Sequence, residues 1–344
     1  MVSVISLFCG CGGSSLGYKR ANCNIVLATD FNPRALTTYS LNFPDTNVLL
    51  ADIRTLNLST IQNLTNLKAG ELDILDGSPP CTPFSLSGSR QKGWGKSIRH
   101  AGESNLQLQT TNDLFYEYIR MVKELKPKTF IAENVRGLII GKAKGYFLDI
   151  IKKMRELDYD VQIFDVNAKD FEVAQSRPRI IITGIRNDII QVATKLKKHS
   201  IITFYEAMKD LIIPSKDIEI LKQAFLKSSK YQFQARTKQG HYVSDYTFNK
   251  SYAYNFVRAN LNQPSPTILA HSRQIIHPTQ NRWLTLAEVK RLASFPDDFK
   301  FLSENDGYIR IGNSVPPNLI KNIALYIIEK AQLDCPRPKQ VIGK

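Results

Sequence analysis

Leu72-Asp73-Ile74-Leu75-Asp76-Gly77-Ser78-Pro79-Pro80-Cys81-Thr82-Pro83-Phe84-Ser85 sets a short apolar run against a loop in which one cysteine hangs between prolines. The run Leu72 to Leu75 has strand length, so Cys81 is expected on the loop leaving the carboxyl end of a buried strand. In an open α/β sheet that edge is where ligands bind. The prolines exclude a regular helix and restrict the backbone on both sides of the sulfur, as a nucleophile requires. Taken alone, a lone cysteine reads first as a small buried thiol beside a Pro-rich turn.

Toward the N-terminus, Val2 to Phe8 is a β-rich run followed at once by Cys9-Gly10-Cys11-Gly12-Gly13-Ser14-Ser15-Leu16-Gly17. Strand, glycine turn and helix form the layout in which backbone approaches a ligand closely. A dinucleotide fingerprint would place a third glycine where Ser15 stands, so an oxidoreductase loses its best motif. Ile25 to Thr29 predicts a second strand ending at Asp30 and Phe31, before Asn32-Pro33 opens a helix to about Asn42. A carboxylate there either accepts from ribose hydroxyls or caps the helix. Asn47 to Leu50 predicts a third strand leading to Ala51-Asp52-Ile53. Further on come a helix from Leu114 to Leu125, a strand from Thr129 to Ala132 delivering Glu133-Asn134-Val135, and strands at Val161 to Val166 and Ile180 to Ile185. A glutamate at the end of an apolar strand is poorly solvated, which raises its pKa and lets it donate a proton near neutrality; a buried structural carboxylate would look the same.

Composition limits the classes. The 344 residues carry 46 Lys+Arg against 31 Asp+Glu, a formal charge of +15, so a polyanion is the first partner to consider. No apolar run approaches membrane-spanning length, and the N-terminus lacks a basic leader, so neither membrane nor export is expected. Cys9, Cys11, Cys23, Cys81 and Cys335 make neither a disulfide framework nor a zinc spacing; no metal is expected, and a reduced, cytoplasmic protein is the default.

Motif by motif, the chain resembles the DNA (cytosine-5)-methyltransferases. Phe8-x-Gly10-x-Gly12-Gly13 is similar to the family's first S-adenosylmethionine motif, and Pro79-Pro80-Cys81 to its nucleophile motif. Glu133-Asn134-Val135 and Gln175-Ser176-Arg177-Pro178-Arg179 resemble the family's Glu-Asn-Val and Gln-x-Arg-x-Arg motifs. Arg282 to Pro296 resembles its ninth motif, and Gly312-Asn313-Ser314-Val315 its last. The resemblance implies S-adenosyl-L-methionine as cofactor, bound by Phe8, Gly10, Gly12, Gly13, Asp30 (ribose), Phe31 and Asp52 (adenine), Ile53, Pro80, Leu114, Asn313, Ser314 and Val315. It implies Cys81 as nucleophile, Glu133 as the acid at cytosine N3, Arg179 at the cytosine O2 and Arg177 positioning the site. Ser85, Ser87, Arg90 and Thr267 are implied DNA contacts. One departure is Thr111, where the family carries an arginine.

The expected architecture is α/β: a doubly wound Rossmann-like methyltransferase sheet plus a smaller, mainly irregular and β target-recognition domain. The expected division is 1–187 plus 306–334 for catalysis, 188–305 for DNA reading, and a tail from 335 to 344. From Lys222 to Gln280 eight Lys/Arg and one acid, Asp245, interleave with aromatics. Alternation from Tyr242 to Phe256 predicts twisted strands, and basic side chains among aromatics suit phosphate and base-edge contacts. In Arg282 to Pro296, Thr285 and Glu288 predict a capping box, and Phe295-Pro296 a helix stop. Double-stranded DNA is the implied partner. The resemblance also admits a cognate restriction endonuclease, and it implies a monomer encoded by a bacterium or phage and associated with the nucleoid. A tRNA cytosine-5 methyltransferase and a catalytically silent DNA-binding relative remain the alternatives. The Cys-Phe-Thr of the tRNA relatives is not found, and intact Cys81, Glu133 and Arg179 speak against the silent form.

Overall fold

A computed structural model describes residues 1–80, 97–98, 109–110, 114–141, 143–247, 256–270 and 274–333. The chain divides into two units. The first takes in Met1–Val166, Pro178–Lys197 and the part from Ile320 onward; the second takes in Asn167–Arg177 and Lys198–Leu319.

The first unit alternates strand and helix, as the apolar runs require: β1 Ser3–Leu7, α1 Gly13–Arg20, β2 Asn24–Asp30, α2 Pro33–Asn42, β3 Asn47–Leu50, α3 Leu58–Thr65 and β4 Ile74–Gly77. Two short strands, β5 Ser97–Ile98 and β6 Gln109–Thr110, pair antiparallel. Then come α4 Leu114–Leu125, β7 Thr129–Val135, α5 Ala143–Arg155, β8 Tyr159–Asn167 and β9 Pro178–Arg186. Seven of the strands form one sheet in the order β3-β2-β1-β4-β7-β9-β8. β3, β2, β1, β4 and β7 are parallel, and β9 runs antiparallel to β7. Chain order reverses direction across the sheet between β1 and β4, the switch point outside which such sheets bind ligands. The expected doubly wound α/β fold is thus present.

β4 begins and ends two residues later than the Leu72-to-Leu75 run suggested. Ser6 Oγ donates to Asp76 at 2.7 Å across the β1–β4 pairing, which keeps Asp76 and Gly77 in the sheet. Gly77 must be glycine, because a Cβ there would overlap the Tyr118 ring. Tyr118 of α4 donates to the carbonyls of both Leu75 and Ile131, so the helix is pinned across β4 and β7. Its apolar face, with Leu114, Phe115, Met121, Val122 and Leu125, is buried in the same core as Leu7, Leu75, Phe130 and Ile182. Among the described residues no helix is long and apolar enough to cross a membrane.

The second unit holds α6 Phe204–Met208, α7 Ser215–Leu226, α8 Tyr231–Arg236, β10 Val257–Arg258, β11 Ile275–Ile276, α9 Leu286–Leu292 and α10 Glu304–Asn313; α11 Pro317–Lys330 follows. The strands expected from Tyr242 to Phe256 are not what forms at its start. Val243–Tyr246 is a 3-10 turn, closed by Asp245 accepting from the Tyr242 amide at 2.9 Å, and 248–255 lie outside the described residues. Phe225, Leu221, Val243, Ile276 and Trp283 form a small core, flanked by half-buried Tyr231, Phe233 and Phe256, so much of the aromatic content serves packing.

Two buried arginines hold that unit together. Arg258 gives Nε to the Thr237 carbonyl, Nη1 to those of His277 and Gln280, and Nη2 to the Gln234 carbonyl and Asn281 Oδ1. Arg282 forks onto both carboxylate oxygens of Glu288 at 2.8 Å. Glu288 also completes the expected capping box with Thr285, while α9 stops at Leu292, ahead of Phe295-Pro296, where Ser294 takes a positive φ of 61°. Truncating one member of a buried ion pair strands the other charge, at about 3–5 kcal/mol. Arg282→Leu is therefore expected to lower the urea midpoint of tryptophan emission sharply, and Arg282→Leu/Glu288→Leu to recover most of the loss; equal midpoints for both would refute this account.

Candidate active site

The carboxyl ends of β1, β2 and β3 line a cleft made by Phe8, Thr29, Asp30, Phe31, Ala51, Asp52, Ile53 and Leu114. The turn after β1 is wound tightly: Phe8, Gly10 and Gly12 all take positive φ, at 56°, 55° and 97°. That conformation is costly for an aromatic residue, by about 1–3 kcal/mol, and such strain gathers at ligand sites. A Cβ on Gly12 would enter the Phe43 ring. Asp30 braces the turn, with one carboxylate oxygen accepting from the Gly10 amide at 2.8 Å and the other from the Asn32 amide at 2.9 Å. Asn32, not Asp30, caps α2 by accepting from the Ala35 amide at 3.1 Å.

Asp52 opens a 3-10 turn, Ile53–Thr55, and is held by Arg54 through its amide at 3.0 Å and its guanidinium at 2.9 Å. Arg120 of α4 reaches the Ile53 carbonyl at 2.8 Å while paired with Glu117 and Glu124. Arg54 and Arg120 escaped the sequence reading, because they act through backbone and carboxylate partners that only the fold identifies. Two carboxylates set among Phe8, Phe31, Ile53 and Leu114 are chemistry that suits a nucleoside, whose hydroxyl and amine groups donate to acids and whose purine face is apolar.

Beyond the switch point, β4 leads into Ser78-Pro79-Pro80. Asn134 Nδ2 donates to the Pro79 carbonyl at 3.0 Å and Asn134 Oδ1 accepts from the Val135 amide at 2.8 Å, tying the end of β7 to the loop that carries Cys81. Pro80 is half-buried. Cys81 itself, with Ser85, Ser87 and Arg90, lies outside the described residues. Glu133 is 9% exposed, as its place at the end of an apolar strand implied, but it is not isolated. Antiparallel pairing of β9 with β7 sets Arg179 opposite Val135, and Arg179 Nε lies 2.6 Å from Glu133 Oε1. The Nε–H is poorly aimed for a hydrogen bond, so this is an ion pair first; Nη1 donates to the Pro178 carbonyl at 2.7 Å.

In the second unit, Arg177 is buried and donates to the carbonyls of Ile268 at 2.7 Å and Gly312 at 2.8 Å. Thr267 Oγ1 donates to the Ser176 carbonyl at 2.7 Å, and Gln175 Oε1 accepts from the Ile268 amide. Asn313 ends α10, exposed, with Ser314 half-buried and Val315 buried behind it. A Cβ on Gly312 would strike the backbone of Leu269 and Ala270. These residues therefore knit the second unit's own segments together, around the carbonyls that Arg177 gathers. No cluster of three or more metal-ligating side chains occurs among the described residues.

Comparison with known proteins places the chain in a family. The family described as C-5 cytosine-specific DNA methylase matches residues 2–329. The chain is 29% identical over 355 residues to the Type II methyltransferase M.NgoPII of Neisseria gonorrhoeae, covering 95% of each. It is 30% identical over 341 residues to the Type II methyltransferase M1.HphI of Haemophilus parahaemolyticus, covering 95% of this chain and 87% of that one. Among solved structures, a DNA modification methyltransferase encoded within an Escherichia coli prophage aligns with a TM-score of 0.74 at 24% identity, over 96% of this chain and 100% of that one. The chain belongs to the C-5 cytosine-specific DNA methylase family, whose methyl donor is S-adenosylmethionine.

Proposed function

We propose that this protein methylates C5 of a cytosine within a specific duplex DNA sequence, after the base has been turned out of the helix, through a covalent bond between Cys81 and C6. The observation that carries the reading is the Glu133–Arg179 ion pair standing beside the Asn134–Pro79 clasp. Acid, cation and nucleophile loop thereby share one edge of one sheet with the nucleoside cleft.

Cytosine C5 is too weak a nucleophile to attack a methyl group unaided. Addition of the Cys81 thiolate at C6 breaks the C5–C6 double bond, and a proton delivered by Glu133 to N3 draws the electrons through the ring, leaving C5 an enamine carbon. When bound, S-adenosylmethionine supplies the electrophilic methyl group. Loss of the C5 proton to water then restores the double bond and expels the thiolate, and N3 returns its proton to Glu133. Glu133 is ion-paired with Arg179 in the free protein, and Arg179 shifts toward the cytosine O2 as the base enters. A base within a stacked duplex exposes neither ring face, which is why flipping is part of the reading. Asp30 holds the ribose, Asp52 the adenine amine, and Phe8, Phe31, Ile53, Pro80 and Leu114 the apolar faces; the family's last motif assigns Asn313, Ser314 and Val315 to the same cofactor. Arg177 keeps the second unit's segments in place, and Ser85, Ser87, Arg90 and Thr267 face DNA. The protein acts as a monomer with a cognate endonuclease that reads the same sequence, a reading supported by the Type II methyltransferases among its relatives.

Incubation with radiolabelled S-adenosylmethionine and either unmethylated plasmid or bulk tRNA tests the reading: label is expected in 5-methyldeoxycytidine, and label in tRNA alone overturns it. Cys81→Ala should abolish transfer while duplex binding survives, and Glu133→Gln should lower single-turnover rates by about 10²- to 10⁴-fold. Turnover by Cys81→Ala would sink the covalent route. Asp30→Asn is expected to weaken cofactor binding by about 10- to 100-fold, the worth of a hydrogen bond to a charged group, with duplex affinity unchanged; an unaltered cofactor titration would displace the site.

A further inference from the structure

Asp76 is a buried charge that the mechanism above leaves unused. It sits in β4, five residues before Cys81, and is 2% exposed. Its register partners are Ser6 in β1 and Ile131 in β7, at the centre of the sheet. Oδ2 accepts from Ser6 Oγ at 2.7 Å and Oδ1 from Tyr18 OH at 3.0 Å. Ser6 lies two residues before Phe8, and Tyr18 belongs to α1, which the glycine turn feeds. One carboxylate therefore holds three elements: the strand entering the cofactor turn, the helix leaving it, and the strand that carries the nucleophile loop.

Nothing basic offsets that charge among the described residues. The titratable groups acting on it or feeling it are Tyr18 on α1, Cys9 in the glycine turn, Tyr39 on α2, Tyr118 on α4 and Glu133 on β7. Every one is an acid, so burial lifts the Asp76 pKa from 3.8 to about 7, against the pull of the Ser6 and Tyr18 hydrogen bonds and with help from Glu133. An apolar side chain would fill the same place at less cost in stability. The carboxylate is explained by what it aligns.

We propose that Asp76 is a positioning residue for methyl transfer: through Ser6 and Tyr18 it registers the strand bearing the Cys81 loop against the strand and helix flanking the cofactor turn. This rests on the methyl-transfer reading. Thiolate and methyl group must meet one cytosine ring in correct alignment, and a misplacement of about 1 Å costs about 10²-fold in rate. The ionised carboxylate accepts from both hydroxyls. Protonation turns one oxygen into a donor and a poorer acceptor, so the bond from one of the two hydroxyls is weakened or reversed. The transfer-competent clasp is the ionised one, and the rate falls as pH drops through about 7.

Stability runs the other way. Between pH 3.8 and about 7 the folded protein holds a proton on Asp76 that the unfolded chain has released, so Asp76 makes stability decline as pH rises across that window. The test is single-turnover methyl transfer under saturating S-adenosylmethionine and DNA from pH 6 to 9, with thermal midpoints alongside. Asp76→Asn is expected to cut the rate at pH 8 by about 10- to 100-fold, to remove the limb near pH 7, to leave duplex affinity intact, and to melt no lower than the wild type at pH 8. Tyr18→Phe, which withdraws a bond favouring the ionised form, should move that limb to higher pH, and it serves if Asp76→Asn does not fold. An Asp76→Asn variant as fast as the wild type, or one retaining the limb, overturns the proposal, as does Tyr18→Phe with the limb unmoved. A wild type that transfers no methyl group fails the functional reading instead.

Discussion

The antiparallel pairing of β7 with β9 is the constraint on which the chemistry depends. In an all-parallel sheet the carboxyl ends alone reach the ligand edge, and each strand supplies its last residues there. By entering the sheet from that edge, β9 contributes its first residues instead, and so Arg179 meets Glu133 at 2.6 Å. Neither charge would be tolerated singly at that burial. Together they place a carboxylate and a cation at the edge where β4 hands the chain to Ser78-Pro79-Pro80.

Around that pairing, polar groups fix the loops. Asp30 bridges the glycine turn and the start of α2, Asn134 clasps Pro79, Arg120 braces Ile53, and Asp76 joins β4 to β1 and α1. Each is an acceptor or donor on a rigid element acting on the backbone or side chain of a neighbouring one. This gives the preorganisation that catalysis requires without relying on loop stiffness alone. The second unit repeats the device with buried arginines: Arg177, Arg258 and Arg282 gather carbonyls and one carboxylate from segments far apart in sequence. Where strands are only two residues long, such forks supply the order that a sheet would otherwise give.

The first half was largely legible from the chain. Apolar runs of strand length alternated with helical spacing, and Asn32-Pro33 marked a helix start that the structure reproduces, as Thr285 with Glu288 did in the second unit. The cleft was legible as well, because its residues sit at strand ends, where position along the chain fixes position in space. The reading departs from the structure at Val243–Tyr246; Tyr242 bridges Val257 as a strand would, and 248–255 lie outside the described residues. Alternating aromatics after Tyr242 suggested strands, but Asp245 bonding back to the Tyr242 amide is a local turn that outweighs the pattern.

By itself, the sequence determined the α/β sheet, the family and the residues that stand at the strand ends, since strand length, turn residues and motif order are local properties. Tertiary structure alone decided which of those groups meet. That Glu133 faces Arg179, that Arg177 serves carbonyls at 268 and 312, and that Asp76 is buried against two hydroxyls follows from strand order and register. Such contacts join residues up to 135 positions apart, and no local spacing encodes them.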